Sequence, residues 1–299
     1  MKTLFFFFIT VSLSAQIKGV VKDSLSGEPI PYVNIWVENE AIGTTSETDG
    51  SFSLEIKEEK VLVFSALGYE TKRVASKVQT VVLKPKVMEL KEVIVEQPKF
   101  KKEIEIGNLE TSGFRFGLGN INSAVLFKPD NEINEYPFVK ELVFLTKSNV
   151  KNAKIRVRIL SVNEDQSPGE SLLDEEIIVT VKKGKTKNKI DFSNYRFKIP
   201  NSGFYVSFEK LIIEENKYYT EYTYKDQQKN KNTRKSMSIE PNLCFVPEEN
   251  DIVWQSTING NWMKTKRQKL KNPYSYENLL MRKYHDKFLA PSMKIILTN

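Results

Sequence analysis

Short runs in which apolar and polar residues alternate fill the first third of the chain. In SFSLEI, the side chains of Phe52, Leu54 and Ile56 share one parity, and two serines and a glutamate share the other. This period of two residues predicts a strand with one buried face. The run KVLVFSA is apolar almost throughout, which is typical of a strand covered on both faces. About seven such runs within residues 16–86 predict a small antiparallel β-sandwich.

Longer runs of the same kind continue through residues 113–299. The run AKIRVRILSV alternates Ile155, Val157 and Ile159 with basic residues. The dipeptide Asn259–Gly260 separates two apolar runs and predicts a hairpin with a type I′ turn. About eight to ten strands are expected here, which favours a second β-sandwich of jelly-roll-like order. The fold class expected for the whole chain is therefore all-β.

Two segments interrupt this succession of strands. Residues 87–112 are charged and sparse in large apolar residues, so they predict a connector between the two sandwiches. The segment NPYSYENLLMRKYHDKF offers Asn272 as an N-cap and Pro273 as the first helical residue, and it predicts a helix.

The N-terminal residues 1–15 have the layout of a secretory signal peptide. One lysine precedes an apolar run from Leu4 to Leu13, and the small residues Ser14 and Ala15 come next. We expect cleavage after Ala15 and export to the periplasm, the outer membrane or the cell surface. No later run reaches the roughly 18 apolar residues that a membrane-spanning helix needs, so no transmembrane helix is expected after cleavage.

The composition of the chain limits which partners, metal sites and catalytic sites can be expected. The chain has 45 basic and 38 acidic residues, a net charge of +7, but an exported protein does not meet genomic DNA, so no nucleic-acid partner is expected. His285 and Cys244 are the only histidine and cysteine, which excludes an intramolecular disulfide and a zinc site built of these residues. We therefore expect no catalytic residue, metal site or cofactor. A hydrolase that uses carboxylates alone remains the enzymatic alternative.

Aromatic residues are the candidate ligand contacts. Trp254 and Trp262 flank the Asn259–Gly260 turn, and Tyr222 and Tyr224 share one face of a predicted strand. Exposed aromatic rings can stack on sugar rings, so these four residues predict a glycan platform. Cross-strand packing of the same rings is the structural alternative.

Acidic residues concentrate around Gly50 in GTTSETDGSFSLEI. A calcium loop of the EF-hand type requires a glutamate six residues after its glycine, and Ile56 stands there instead. The dipeptide Asp49–Gly50 therefore predicts a tight turn between two strands. A weak cation site at Asp49 is the alternative, and solvated loop charge is the expectation for the acidic residues Glu164, Asp165 and Glu170.

The order of these motifs resembles a known family. The motifs IKGVVKD, GEPIP, YVNIWV, TDGSF and LGY succeed one another between residues 17 and 69 as they do in the carboxypeptidase-like regulatory domain. The resemblance implies a transthyretin-like β-sandwich, common in exported Bacteroidota proteins, that serves for docking or spacing rather than for catalysis. The next segment, VVLKPKVMELKEVIVEQ, is similar to the segment that comes after this module in TonB-dependent receptors. Residues 113–299 resemble only uncharacterised secreted β-sandwich modules.

The expected function is that of a non-catalytic exported envelope protein. Its first sandwich would dock or act as a spacer, and its second would have a recognition or structural role. The alternatives are a glycan- or peptide-binding accessory protein of an outer-membrane uptake system and a small outer-membrane barrel. The expected partner is an envelope protein or a glycan.

Overall fold

The computed structural model describes residues 15–86, 101–110, 114–115, 120–129, 135–225, 230–272 and 281–299. The chain forms two compact units, residues 1–86 and residues 87–299. Within the described residues, its regular structure is β-strands and three 3₁₀ helices, at Ser193–Tyr195, Glu214–Asn216 and Arg282–Tyr284. The predicted all-β fold is thus confirmed. Residues 1–14 of the predicted signal peptide lie outside the described residues.

Seven strands build the first unit and sixteen the second. Those of the first unit are β1 (Ala15–Asp23), β2 (Asn34–Val37), β3 (Gly43–Thr45), β4 (Ser51–Ile56), β5 (Val61–Ser65), β6 (Lys72–Ala75) and β7 (Thr80–Leu83). Those of the second unit are β8 (Glu103–Asn108), β9 (Phe114–Arg115), β10 (Asn122–Phe127), β11 (Phe138–Ser148), β12 (Ala153–Val162), β13 (Pro168–Ser171), β14 (Ile177–Val181), β15 (Gly184–Asp191), β16 (Phe204–Lys210), β17 (Lys217–Lys225), β18 (Lys231–Ile239), β19 (Asn242–Glu248), β20 (Val253–Ser256), β21 (Met263–Lys264), β22 (Phe288–Pro291) and β23 (Met293–Thr298). Both counts refer to the described residues.

The first unit is the predicted seven-stranded sandwich, with one strand pair in an unexpected direction. Its sheets have the strand orders β4-β1-β7 and β3-β2-β5-β6. All pairs were expected to be antiparallel, but β1 and β7 run parallel, with Val20 opposite Thr80 and Asp23 opposite Leu83. The residues between these strands are numerous enough for the long crossover that a parallel pair requires. Apolar periodicity predicts a strand but carries no information about its direction.

Alternating side chains form the core of the first unit. Phe52, Leu54 and Ile56 of β4 are buried, as their parity predicted, and they lie in one cluster with Phe64 of β5. The rings of Phe52 and Phe64 meet edge to face with their centroids 5.4 Å apart. The two sheets are thus held together by burial of apolar surface, which is the main favourable term in folding.

The second unit is also sandwich-like. One seven-stranded sheet has the order β13-β12-β16-β10-β20-β21, with β14 also paired to β12. The other has the order β22-β19-β11-β23-β8, with β15 on β11 and β9 on β19. The rings of Phe144 on β11 and Phe208 on β16 lie 4.9 Å apart, centroid to centroid, in the core between these sheets.

One strand lies inside the range predicted as a connector. Strand β8 pairs antiparallel with β23, from Glu103 opposite Thr298 to Asn108 opposite Met293. Ile104 and Ile106 pack against the main core of the second unit, while the intervening glutamates are exposed. The segment is poor in core residues because an edge strand buries only every second side chain. Residues 87–100 lie outside the described residues.

The predicted helix at residues 272–288 is wrong for the part that the structure describes. Residues Arg282–Tyr284 form a single 3₁₀ turn, and Phe288–Pro291 form β22, which pairs with β19. Tyr284 is buried, and its hydroxyl donates to the carbonyl of Phe245 at 3.1 Å, so tertiary contacts hold this described part of the segment out of an α-helix. Residues 273–280 lie outside the described residues.

Candidate binding surface

The two predicted tryptophan contacts pack into one cluster on a sheet face. Trp254 is only 8% exposed and packs with Ala124, Leu126, Leu160 and Tyr205 on the outer face of the β12-β16-β10-β20 sheet. Trp262 is half-buried against the same cluster, here called the tryptophan cluster. These two rings therefore do not form an open platform for a sugar.

A loop and a basic side chain cover this outer face. The Tyr205 hydroxyl donates to the backbone carbonyl of Gln166, which holds the loop after β12 close to the cluster. The Lys264 ammonium lies 5.6 Å from the centroid of the Trp254 ring, in cation–π contact. The hairpin itself forms as predicted, but the turn is of another type. Gly260 donates to the Thr257 carbonyl, so Gly260 is its fourth residue.

The two predicted tyrosine contacts lie on a different kind of hairpin. Strands β17 and β18 pair over their whole length, from Lys217 opposite Ile239 to Lys225 opposite Lys231, and among the described strands they pair only with each other. We call this two-stranded ribbon the arm. Tyr222 and Tyr224 are 47% and 48% exposed on it, and their ring centroids lie 6.3 Å apart.

The register gives the arm two different faces, because directly paired residues of an antiparallel ribbon share a side. The tyrosine face comprises Tyr218, Thr220, Tyr222 and Tyr224 of β17 with Ser238, Ser236, Arg234 and Asn232 of β18. The lysine face comprises Lys217, Tyr219, Glu221 and Thr223 with Ile239, Met237, Lys235, Thr233 and Lys231. The sequence prediction that Tyr222 and Tyr224 lie on one strand face agrees with this register.

Charge is distributed unevenly on the arm. Its strands carry the basic residues Lys217, Lys225, Lys231, Arg234 and Lys235 and the single acidic residue Glu221. Arg234 lies directly opposite Tyr222, and the tyrosine face contains no acidic residue. Within the described part of the chain, Arg234 forms no ion pair. Its guanidinium therefore remains available to an anion.

Asn216 attaches the start of the arm to the second unit. Its fully buried side chain accepts from the Lys154 amide at 2.7 Å and donates to the Lys154 carbonyl at 2.7 Å and to the Leu211 carbonyl at 2.9 Å. Its backbone carbonyl accepts from the Glu240 amide, just after the end of β18. The two ends of the ribbon are thus joined to each other and to β12.

A second set of buried contacts holds the end of the arm. Ile239 is buried, and its carbonyl accepts from the Lys210 ammonium at 2.7 Å. The Glu240 carboxylate is fully buried and accepts from the side-chain amides of Asn149 at 2.7 Å and Asn242 at 2.8 Å. The base of the arm is therefore fixed while its strands are exposed.

A network of buried charge was not visible in the sequence. Arg156 is only 1% exposed, and its guanidinium lies 2.6 Å from Glu176 and 3.3 Å from Glu209. Arg158 lies 2.7 Å from the same Glu176 carboxylate. Burial raises the pKa of Glu176, but the charges of Arg156 and Arg158 outweigh this effect and hold the pKa below its usual value. Glu176 is thus ionised at neutral pH, which does not suit a general acid.

The acidic side chains in two of the turns accept hydrogen bonds from backbone amides two residues later. An oxygen of Asp49 accepts from the Ser51 amide at 2.9 Å, and Gly50 adopts a φ of +73°. Hydrogen bonds from Ser51 lower the pKa of Asp49, and those from Ser167 lower the pKa of Asp165 in the same way. In the part of the chain that the structure describes, no group of three or more histidine, cysteine or acidic residues could hold a metal ion.

The single cysteine is buried, and the single histidine is half-buried and hydrogen-bonded. Cys244 is buried in β19. His285 is half-buried, and its Nδ1 accepts from the Leu270 amide at 3.1 Å. This hydrogen bond joins the loop before residue 272 to the turn before β22.

A loop tip of the first unit presents an isolated apolar side chain. Asp23 accepts from the amides of Leu25 at 2.6 Å and Ser26 at 2.9 Å, and from the Tyr69 hydroxyl at 2.8 Å. These bonds fix the tip, and Leu25 is nevertheless 83% exposed. The backbone of this tip is thus fixed while the Leu25 side chain lies in solvent.

A cavity of about 280 Å³ lies in the second unit. It is lined mainly by apolar residues, including Ile106, Phe127, Val246 and Met293. Its polar lining side chains are Asn108, Lys128 and Glu248, and Glu248 already accepts from Asn250.

Comparison with known proteins adds a family for the first unit. Residues 17–95 match the family model of the CarboxypepD_reg-like domain. Within the described residues, no helix is long and apolar enough to cross a membrane.

Two curated relatives match part of the chain. It is 31% identical over 143 residues to the TonB-dependent receptor P3 of Formosa agariphila, covering 46% of this chain and 13% of the receptor. It is 35% identical over 92 residues to the TonB-dependent receptor SusC of Bacteroides thetaiotaomicron, covering 29% of this chain and 9% of the receptor. The chain thus spans about a tenth of the length of these relatives.

A solved structure aligns with a larger share of the chain but only weakly. The T6 backbone pilin of serotype M6 Streptococcus pyogenes, a modular three-domain protein, aligns over 77% of this chain and 65% of its own at 11% identity. The TM-score of 0.18 is too low to indicate a shared fold.

Proposed function

Because its residues 17–95 carry a CarboxypepD_reg-like domain, we propose that this protein is a non-catalytic accessory component of an envelope uptake system. The first unit docks on a neighbouring envelope protein, and the second unit binds the material that is taken up. The similarity to two TonB-dependent receptors supports the association with uptake. The predicted signal peptide supports a location in the periplasm or at the outer membrane or cell surface.

The arm is the structural feature that best supports a binding role for the second unit. An isolated two-stranded ribbon is at best marginally stable in water, yet this one extends for nine residue pairs and leaves both faces exposed. Its exposed tyrosines and its unpaired Arg234 are residue types enriched in binding hot spots. The buried contacts of Asn216 and Glu240 hold the base of the ribbon in place. Such an arrangement suits recognition better than it suits support of the fold.

Two side chains of types common in catalysis already have partners, which supports a non-catalytic role. The carboxylate of Glu176 forms ion pairs with two arginines, and Nδ1 of His285 accepts from a backbone amide. The matched family is named as a regulatory-like domain of the carboxypeptidase type, and the relatives are named receptors, which supports a binding role.

The docking role is assigned to the loop tip at Leu25. Its backbone is held by Asp23 and its side chain is exposed, and transferring a leucine from water to a partner surface is favourable by about 1.5–3 kcal/mol. A partner with a small apolar pocket would be its counterpart. Ile42, which is also exposed on the first unit, provides a matched control.

Affinity purification tests this proposal. The tagged chain is expressed in its own organism, cross-linked in the envelope and isolated, and the recovered proteins are identified by mass spectrometry. We expect a TonB-dependent receptor to be enriched with the wild-type chain, to be reduced for Leu25→Ser and to be retained for Ile42→Ser. Recovery of no transport protein, or equal recovery with Leu25→Ser, would contradict the docking role.

A further inference from the structure

The tyrosine face combines groups that a charged sugar polymer requires. Tyr222 and Tyr224 expose their rings side by side, and alternate residues of a strand lie about 6.6 Å apart along its axis. Across the ribbon, Arg234 lies opposite Tyr222 and Asn232 opposite Tyr224. A row of aromatic rings thus runs beside a row of hydrogen-bonding side chains.

The composition of this face favours a sugar over a protein surface. Apart from the tyrosine rings, its side chains are polar: Thr220, Asn232, Arg234, Ser236 and Ser238. A protein partner gains most from aliphatic and aromatic contacts in the centre of an interface. The exposed aliphatic chain of the arm, Met237, lies on the lysine face with Tyr219. Pyranose rings, by contrast, present C–H groups that pack on aromatic rings and hydroxyls that need hydrogen-bond partners.

The charge of the face selects an anion. Arg234 is a planar donor that matches a carboxylate in bidentate geometry. The tyrosine face contains no acidic residue to neutralise Arg234, and Glu221 lies on the opposite face with Lys235. A neutral polymer would make no ion pair with this guanidinium. The lysines on the other face add a long-range attraction for a polyanion but do not contact the same surface.

We propose that the tyrosine face of the arm binds an anionic polysaccharide of the polyuronate class, with sugar rings stacked on Tyr222 and Tyr224 and a uronate carboxylate on Arg234. This assignment rests on the proposed function, since it names the material that the second unit binds. The polymer runs along the ribbon, parallel to the strands.

Binding of the full chain to polygalacturonate, measured by isothermal titration calorimetry, tests the assignment. The methyl-esterified polymer is the matched probe, because it keeps the backbone and removes the charge. We expect Arg234→Gln to weaken binding of the acid form at least about tenfold, because the bidentate, charge-assisted contact with the carboxylate is lost. Tyr222→Ala is expected to weaken binding of both forms, and the wild-type chain to prefer the acid form.

Lys235→Gln and Tyr219→Ala are the controls, because they remove one basic charge and one tyrosine ring from the lysine face. Both are expected to retain binding within about twofold, apart from a small salt-dependent loss for Lys235→Gln. Circular dichroism and thermal unfolding of every variant establish that the fold is kept. Equal losses for Arg234→Gln and Lys235→Gln would show nonspecific attraction to a polyanion and overturn the assignment.

Failure of this inference and failure of the proposed function give different results. If polymer binding is absent but the receptor is still recovered with the wild-type chain, the polyuronate assignment is wrong and the docking role stands. If Tyr222→Ala abolishes receptor recovery while polymer binding is absent, the tyrosine face binds a protein instead, which also overturns the assignment. If neither polymer nor receptor binds, the proposed function itself is wrong.

Discussion

Two aromatic hairpins of the second unit differ in sheet pairing and in the exposure of their aromatic rings. The β20–β21 hairpin continues a seven-stranded sheet, and its Trp254 is buried in the tryptophan cluster. The arm pairs with no other described strand, and its Tyr222 and Tyr224 are half exposed. Both segments are rich in aromatic and basic residues, and both were candidate glycan contacts in the sequence.

The difference shows that the cover over a sheet face decides the role of an aromatic residue. Trp254 pairs with Ala124 in the sheet, while the loop at Gln166 and the side chain of Trp262 pack over its cluster. The arm has no such cover among the described residues. Aromatic residues therefore stabilise the fold in the first hairpin and form an accessible surface in the second.

Truncation of one aromatic residue in each hairpin would produce the largest contrast. We expect Trp254→Ala to destabilise the second unit by about 3–5 kcal/mol, because it removes a large buried side chain and leaves a cavity. Tyr224→Ala, at an exposed position, is expected to change the stability by less than about 0.5 kcal/mol. Urea denaturation followed by circular dichroism measures both.

The two units can unfold separately, so the transition of the second unit must be resolved before the values are compared. Tryptophan fluorescence of a chain in which Trp36 of the first unit is replaced by Phe reports on the second unit. A loss for Tyr224→Ala as large as that for Trp254→Ala would show that the arm packs against other parts of the protein, which would break the comparison.

Local patterns predicted the strands and part of the candidate surface. The alternation in SFSLEI predicted the buried and exposed residues of β4, and the spacing of Tyr222 and Tyr224 predicted their common face. These properties depend on residues close in sequence. The strand period determines them wherever the strand lies.

Contacts between distant residues could not be predicted in this way. The burial of Trp254 depends on a loop almost ninety residues earlier, and that of Arg156 on Glu176 and Glu209. In AKIRVRILSV the arginines occupy the polar parity, which gives no sign that Arg156 is 1% exposed. The type of each side chain is visible in the sequence, but its partner is not.

The anchor of the arm provides the second prediction. We expect Asn216→Ala to destabilise the second unit by about 1–3 kcal/mol, because the buried Lys154 amide and two carbonyls lose their partner. The arm should lose its orientation before the β20–β21 hairpin changes, since that hairpin is held by sheet pairing.

Amide hydrogen exchange followed by mass spectrometry measures this effect. Faster exchange is expected in β17 and β18 and little change in β20. Ser236→Ala, an exposed change on the arm itself, is the control and should leave the exchange of both hairpins as it is. Equal acceleration in β20 would mean that Asn216 stabilises the whole unit rather than the arm.

A smaller effect concerns the charges on the two surfaces. The pKa of Glu176 is lowered in the folded protein from its ordinary value of 4.5. Its carboxylate therefore stabilises the fold above the ordinary pKa, and this contribution is lost as the pH falls through the lower folded-state value. Arg234 on the arm has no carboxylate partner in the described chain, so no similar acid dependence is expected from it.

Denaturation of the second unit between neutral and acidic pH tests this difference. For Glu176→Gln we expect lower stability at neutral pH and a shallower decline on acidification. Glu175→Gln is the control, because that carboxylate accepts from the Tyr195 hydroxyl instead of an arginine. An acid decline of unchanged slope in Glu176→Gln would assign the pH dependence to other carboxylates.

The smallest effect separates packing from hydrogen bonding at a buried tyrosine, Tyr205, and a half-buried one, Tyr69. The pKa of Tyr205, in the tryptophan cluster, is raised to about 12 chiefly by burial. The pKa of Tyr69, in the first unit, is also raised to about 12, by burial and then by its hydrogen bond to Asp23 and the charge of that carboxylate.

In Asp23→Asn the charge is removed, so the pKa of Tyr69 should fall, although burial keeps it above the ordinary value of 10.0. Titration of ¹³C-labelled tyrosine by nuclear magnetic resonance would resolve both residues, and Tyr205 should not shift. If Tyr69 also stays unchanged, burial alone sets its pKa, and the first unit then holds its aromatic residue as the tryptophan cluster does, by packing.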